Sequence, residues 1–495
     1  MKQIYNPYLP LNEYVPDGEP HIFGGRVYIY GSHDAAGGTV YCEGDYVTWS
    51  APAEDLKDWK YEGVIYRRTD DPSNADGSMQ LWAPDVVRGG DGRYYLYYCF
   101  TFYPEIGVAV SDSPAGPFRF YGHVRFPEAL RGSEAEKSYM PFDPAVFRDD
   151  DGRVYLYFGF APAAEKEMLL PAFTEEEMEA MPEKMQRTIE LLKTMPFAEY
   201  SMAVELEQDM LTMKGIPQPM IPGGHHTAGT GFGGHGFFEA SSIRKIRGRY
   251  YFVYSSHKSH ELCYACSDRP TEGYVYGGTV ISNGDIGLNG RTKPVYTLSN
   301  NHGGIVQAGE DYYIFYHRAT DGTECSRQGC AEKIRILEDG SIPQTEMTSC
   351  GLNGGPLASS GLYPAPIACH LTSPLTMEKI DYNDPCMKQQ ARITQEQNGQ
   401  YITAVTDGTV IGWKYFDFAA PAALLLEVRG KFDGTVQVRT EENGDAAGEG
   451  RLHTDTDCYG IAEIPLCRIE GVHALYLDFA GEGSLDLRTI GFRQE

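Results

Sequence analysis

Four carboxylates and one imidazole recur at matched offsets along this chain. Asp17, in VPDGEPHIF, lies 8 residues before Gly25, and Asp85, in LWAPDVV, lies 7 before Gly92. Asp143, in MPFDPAVF, lies 9 before Gly152; Glu239, in GFFEASSI, lies 9 before Gly248; His302, in NNHGGIV, lies 8 before Glu310. Each stands among apolar, Pro or Gly neighbours, a setting in which ionisable groups are rarely buried unless paired or functional. Taken singly, any of them reads as a solvated turn residue or a strand-end cap. Five in register point to one shared cavity, where carboxylates can divide proton donation and proton abstraction between them.

The elements that must position them are legible from the turns. GGRVYIYGS at Gly24–Ser32, DGRYYLYY at Asp91–Tyr98, DGRVYLYFG at Asp151–Gly159, RGRYYFVYS at Arg247–Ser255 and GEDYYIFYH at Gly309–His317 share one form. A tight polar or glycine turn leads into an aromatic, β-branched run, the signature of a hairpin entering a buried strand. Steps between equivalent turn positions are 67, 60, 96 and 62 residues. Such a period predicts a five-bladed β-propeller. The first strand of each blade lines the central channel, so the five polar positions meet on one axis.

A deep cavity with several carboxylates, and without a nucleophilic cysteine or serine or a phosphate loop, suits glycoside hydrolysis. One protonated acid donates to the leaving oxygen, while a second carboxylate serves as base or nucleophile. A third acid can hold the donor's pKa high by like-charge repulsion.

These segments resemble glycoside hydrolase family 43. The likeness is carried by LWAPDVV with DGRYYLYY, by FDPAVFRDDDGRVYLYFG and by YHR after NHGG, and it spans essentially residues 1–350. It implies a five-bladed propeller that cleaves with inversion, with Asp17 as general base on water, Asp143 raising and orienting the donor, and Glu239 as general acid. His302 matches an axial histidine near a calcium or sodium ion with its water shell; no cofactor is required for the chemistry. Arg327, in CSRQGCAEKI, matches an arginine that hydrogen-bonds the sugar and the neighbouring acid, with Arg318 as the alternative. Trp82 and Asp85 are expected to line the pocket. The family's first segment has Pro directly after its Asp, whereas here Gly18 follows Asp17 and Glu19–Pro20 comes next, so Glu19 is a rival base. Spacing to the turn favours Asp17, and strand alternation puts both on one face.

The family likeness further implies an exo-acting α-L-arabinofuranosidase or β-D-xylosidase working on short oligosaccharides derived from plant polysaccharides. The rivals are an endo-acting arabinanase or xylanase, a galactofuranosidase, a sugar-binding propeller without catalysis, and phosphorolysis using Arg318 and Arg327.

Beyond residue 350 the pattern changes. GLNGGPLASSGLYPAPIAC reads as a connector over 351–370, and short alternating strands over 371–495 read as a β-sandwich of jelly-roll type. YITAVTDGTVIGWKYFDF and GVHALYLDFAGEGSLDLRTIGF resemble carbohydrate-binding module family 6, with Trp413 and Tyr415 as candidates for stacking on sugar rings or for the core. The fold class is therefore all-β. Its one helical stretch is an expected insertion over about 163–200, where Thr174 and Glu177 have capping-box spacing.

GGHHTAGTGFGGHG holds His225, His226 and His235 without an accompanying carboxylate or cysteine at ligand spacing. It reads as a loop over the cavity, with His235 as the histidine that touches substrate. The net charge of −27 argues against nucleic-acid or anionic-membrane partners. The 11 cysteines, odd in number and scattered, suit reduced thiols, and the N-terminus lacks an apolar export segment. Both features lead to an expected cytoplasmic location. The oligomeric state stays open.

Overall fold

A computed structural model of the chain describes residues 2–101, 103–133, 140–162, 174–180, 186, 193, 198–381, 384–397 and 399–494. Five antiparallel sheets follow one another. The first holds β1–β4 (Glu19–Phe23, Arg26–Tyr30, Tyr46–Pro52, Lys60–Tyr66), and the second β5–β8 (Leu81–Arg88, Tyr94–Phe100, Ile106–Ser111, Arg119–His123). The third holds β9–β12 (Ala145–Arg148, Val154–Phe158, Tyr200–Leu206, Gln218–Pro222), and the fourth β13–β16 (Phe237–Ile246, Arg249–Ser256, Glu261–Ser267, Val275–Ser282). The fifth has three strands, β17–β19 (Ile305–Ala308, Asp311–Thr320, Thr323–Ile334).

The expected turns are where the chirality of the strands requires them. Gly24 and Gly25 (φ 57° and 77°) and Arg247 and Gly248 (φ 52° and 83°) close two-residue hairpins with both central residues left-handed, matching the twist of the flanking strands. In the fifth copy Gly309 takes the positive φ (62°) and Glu310 follows it.

The aromatic runs fill the seams between blades. Tyr30, Tyr46, Tyr98 and Phe100 pack between the first and second sheets, Tyr97, Leu156 and Val204 between the second and third, and Phe237, Tyr157 and Phe252 between the third and fourth. Val253, Tyr264 and Ile314 join the fourth to the fifth; Val27, Ile29, Val306 and Phe315 return from the fifth to the first. A parallel bridge between Gly18 and Gly303 ties these last two at the axis. The N-terminal segment runs beside β19: the Asn6 side chain donates to Ala331 O at 3.1 Å and accepts from Ala331 N–H at 3.0 Å.

The C-terminal unit is a nine-stranded β-sandwich: β20–β22 (Leu357–Ala358, Gly361–Pro364, His370–Thr372), β23–β25 (Arg392–Glu396, Gly399–Val405, Val410–Ala419) and the long β26–β28 (Ala423–Arg439, Ala446–Pro465, Glu470–Arg493). Residues 351–370, expected as a connector, contribute β20, β21 and the buried Leu357, Tyr363 and Ile367 to its core. Trp413 is fully buried there, with its indole N–H donating to Ala365 O at 2.9 Å, so it is not a stacking platform. Tyr415 donates to Glu346 at 2.6 Å, toward the propeller. Of the expected insertion, the described part includes the helix Glu175–Ala180; the remainder, with the Glu177 side chain of the expected capping box, lies outside the described residues.

Candidate active site

The five offset positions do come to the innermost strands. Asp17 and Asp143 immediately precede β1 and β9, Asp85 and Glu239 lie within β5 and β13, and His302 precedes β17. Asp17 (φ 56°), Asp143 (φ 47°) and Ala240 (φ 68°), the residue after Glu239, have left-handed backbones. The pairing of β13 with β14 slips on both sides of Glu239. Bulges re-aim side chains, and left-handed non-glycine residues persist where the surrounding structure holds them, commonly at sites. Here they turn three carboxyl groups out of the regular pleat and into one cavity.

That cavity has a volume of about 400 Å³ and is lined by Asp17, Asp143, Glu239, His302, Arg327 and Trp82, with Tyr41, Phe142, Phe160, Phe238, Asn300 and Glu324 around them. Arg327 donates from Nη1 to Asp17 Oδ1 at 3.0 Å and clamps Asp34 from Nε and Nη2 at 2.8 and 3.0 Å. Tyr41 covers its guanidinium at 4.9 Å. Asp34 thus fixes the cation that fixes Asp17. It sits in the loop after β2, outside the five-fold spacing, so no repeat signal marked it.

His317 supports Asp17 from the other side. Its Nε2–H donates to Asn300 O at 2.9 Å, leaving Nδ1 to accept the Asp17 backbone N–H at 3.2 Å. Burial and the Arg327 charge push the ring down to about 3, so it is neutral. His302 Nδ1 lies 3.6 Å from Asp143 and 4.0 Å from Asp17; burial lowers it to about 4 and makes it neutral too.

The carboxyl groups are pushed apart. Burial raises Asp17 more than any single neighbour lowers it, but Arg327 first, then His317, His302 and the Ser32 hydroxyl, together outweigh it and hold the group below the ordinary carboxylate range. Glu239 is raised to about 8 by burial and then by the charge of Asp17. Asp143 is raised by burial and by Glu239, while accepting the Ala240 N–H at 3.0 Å. Asp143 and Glu239 titrate as a pair that keeps a proton at neutral pH. Asp143 and Asp17 are almost wholly buried and Glu239 is less so, which leaves Glu239 as the member facing the cavity. An ionised base and a protonated acid therefore share one cavity.

Four expected site residues lie elsewhere. Asp85 does not line the cavity: it accepts His21 Nε2–H at 2.6 Å and the N–H groups of Val86 and Val146 at 2.7 Å, tying the first three blades together on the axis. Glu19 is equally buried, paired with Arg244 at 2.6 Å and Ser242 at 2.9 Å, and is not placed to act as base. His235 turns away from the cavity, with Nδ1 2.7 Å from Glu261 and the ring stacked on Tyr276, so it anchors the glycine/histidine loop. Arg318 is buried under the sandwich, donating to Ala368 O and Pro366 O at 2.7 and 2.6 Å.

His302 is not part of a ready-made cluster of protein ligands among the described residues. Among the described residues, the trios of potential ligand atoms within 4.8 Å of one another are Glu19–His21–Asp85 and His235–Glu261–Cys263, and His302 is in neither. In the axial trio Arg244 already supplies the positive charge.

Comparison with known proteins gives the family. The model of Glycosyl hydrolases family 43 matches residues 15–342. A xylosidase/arabinosidase of Thermoclostridium stercorarium is 45% identical over 99% of this chain and 98% of its own. A xylosidase/arabinosidase of Bacteroides ovatus is 32% identical over 63% of this chain and 87% of its own. Among solved structures, an arabinoxylan arabinofuranohydrolase from Bacillus subtilis, in complex with cellotetraose, covers 99% of this chain and 97% of its own with a TM-score of 0.50 at 20% identity, a likeness of fold.

Proposed function

This chain belongs to the glycosyl hydrolases of family 43, which are inverting enzymes, and on that premise we propose that it is an exo-acting β-D-xylosidase and α-L-arabinofuranosidase of short plant-derived oligosaccharides. The observation that carries the reading is the opposed protonation of Asp17 and Glu239 in one cavity. Ionised Asp17 takes a proton from water as the water attacks the anomeric carbon. Glu239 gives its proton to the departing glycosidic oxygen on the other side. Asp143 supports the proton on Glu239, and Arg327 keeps Asp17 charged. Trp82, Phe142 and Phe160 offer apolar faces to the sugar ring. The choice of sugars rests on the names of the two bacterial relatives.

Three finer elements belong to this proposal: a cytoplasmic location, a hydrated axial calcium or sodium ion reached by His302 only through water and taking no part in bond cleavage, and a weak carbohydrate-binding role for the sandwich.

The test is hydrolysis of 4-nitrophenyl β-D-xyloside, 4-nitrophenyl α-L-arabinofuranoside, xylobiose and arabinobiose, by the wild type and by Glu239→Gln. Removing a general acid costs about 10²–10⁴ in rate on the disaccharides. The nitrophenyl substrates lose less, because nitrophenolate leaves without a proton. A wild type silent on all four, or a Glu239→Gln variant as fast as wild type on the disaccharides, would overturn the reading.

A further inference from the structure

The sandwich reaches into the catalytic cavity. Residues 378–380 run alongside the loop that precedes β17: Leu298 N–H donates to Glu378 O at 2.8 Å, and Ile380 N–H donates to Leu298 O at 3.0 Å. A parallel bridge pairs Leu298 with Lys379. Ile380 is buried against Ala319, Met387 and Met377, which anchors the segment. Lys379 and Ile380 thereby line the same cavity as Glu239.

Among the described residues, two cations line that cavity, Arg327 and Lys379. Arg327 is committed to Asp17 and Asp34. Lys379 is exposed, and no carboxylate lies within ion-pair distance of it among the described residues. An ammonium has three donors and no acceptor, so it suits hydroxyl oxygens. Lys379 is exposed where Asp17 and Asp143 are buried, which places it at the open mouth of the cavity that Glu239 also lines, the side from which the leaving-group sugar of an exo-acting pocket projects. In an inverting glycosidase the acid stands beside the leaving oxygen.

We propose that Lys379 is a specificity-determining residue for the leaving-group sugar, donating to its hydroxyls, with Ile380 closing the wall behind it, so that the sandwich is a structural part of the active site. The inference rests on the glycosidase reading above and deepens it. It gives the leaving group a chemical class: a hydroxyl-bearing sugar, recognised through a cation that the sandwich supplies.

The experiment uses the full chain with Lys379→Met, Lys379→Arg and Ile380→Ala. Each is assayed for kcat and KM on the nitrophenyl glycoside, whose leaving group has no sugar hydroxyls, and on whichever disaccharide the wild type cleaves. Lys379→Met is expected to raise KM for the disaccharide about tenfold, the loss of one charge-assisted hydrogen bond. The nitrophenyl substrate should change less than about twofold, and Lys379→Arg should restore most of the loss. Ile380→Ala should move the same ratio in the same direction. Equal effects on both substrates, or none, would overturn the inference while the enzyme assignment stood. A wild type inactive on every substrate would overturn the enzyme assignment and this inference with it.

Discussion

At the residue scale the site is a device for separating two carboxyl groups in pKa, and the separation can be measured. Asp17 is held below the ordinary range by Arg327, so it is ionised and competent as base down to acidic pH. Glu239, at about 8, is protonated and competent as acid until the pH passes that value. The profile of kcat/KM should therefore be a broad bell with its alkaline limb near pH 8. Arg327→Met removes the counter-charge that favours ionised Asp17. The pKa of Asp17 then rises, and the acid limb moves to higher pH while activity at its optimum falls by about 10²-fold or more. An acid limb that stays in place in that variant would remove Arg327 from the account. The carboxylates were legible in the sequence because they recur at fixed distances before a turn. Asp34 was not, because it lies in the connection from β2 to β3, outside the segment whose distance to the turn recurs. Asp85 shows the limit of the spacing argument, which delivers it to the axis, where His21 pairs with it and keeps it out of the cavity; Glu19, which the spacing disfavours as base, pairs there with Arg244.

At the element scale, the hairpin turns and the buried aromatic strands that follow them were readable because each obeys a local rule of chirality or composition. The bulges that aim the carboxyl groups were not, because a slip in register is set by contacts between strands rather than by composition. Gly303 illustrates such a contact. A β-carbon there would stand 1.9 Å from Phe315 O on the neighbouring strand, and the residue joins His302 to the bridge with Gly18. Gly303→Ala must push the segment before β17 away from β18 within the fifth blade and disturb its bridge to Gly18, at a cost of about 1–3 kcal/mol. Its melting temperature should fall, and its kcat should fall as well, since Asp17 and His302 flank the displaced backbone. A variant with wild-type stability would show that the fifth blade relaxes around the methyl group freely.

At the scale of the whole molecule, the two units read from the sequence as successive domains are joined as one body, which no periodicity could have announced because the contacts are made by single side chains such as Arg318 on β18 and Lys414 on β25. Arg318 is 2% exposed and donates to two sandwich carbonyls, Ala368 O and Pro366 O. Lys414 from the sandwich pairs with the buried Asp285 at 3.2 Å and with Glu346 at 2.8 Å. The N-terminal segment spans both units, since Gln3 donates to the Tyr363 hydroxyl at 2.9 Å and accepts from Ala358 N–H at 2.8 Å. Buried polar groups that satisfy one another across a junction make separation costly, because each side is left with unpaired donors and acceptors. Scanning calorimetry should therefore show a single cooperative transition. Arg318→Met strips two buried carbonyls of their donor and should destabilise the chain by about 2–4 kcal/mol, moving that one transition down as a whole rather than splitting it. Two resolved transitions in the wild type would mean that the sandwich unfolds independently, and an active site that takes Lys379 and Ile380 from it would then lose that wall before the propeller melts.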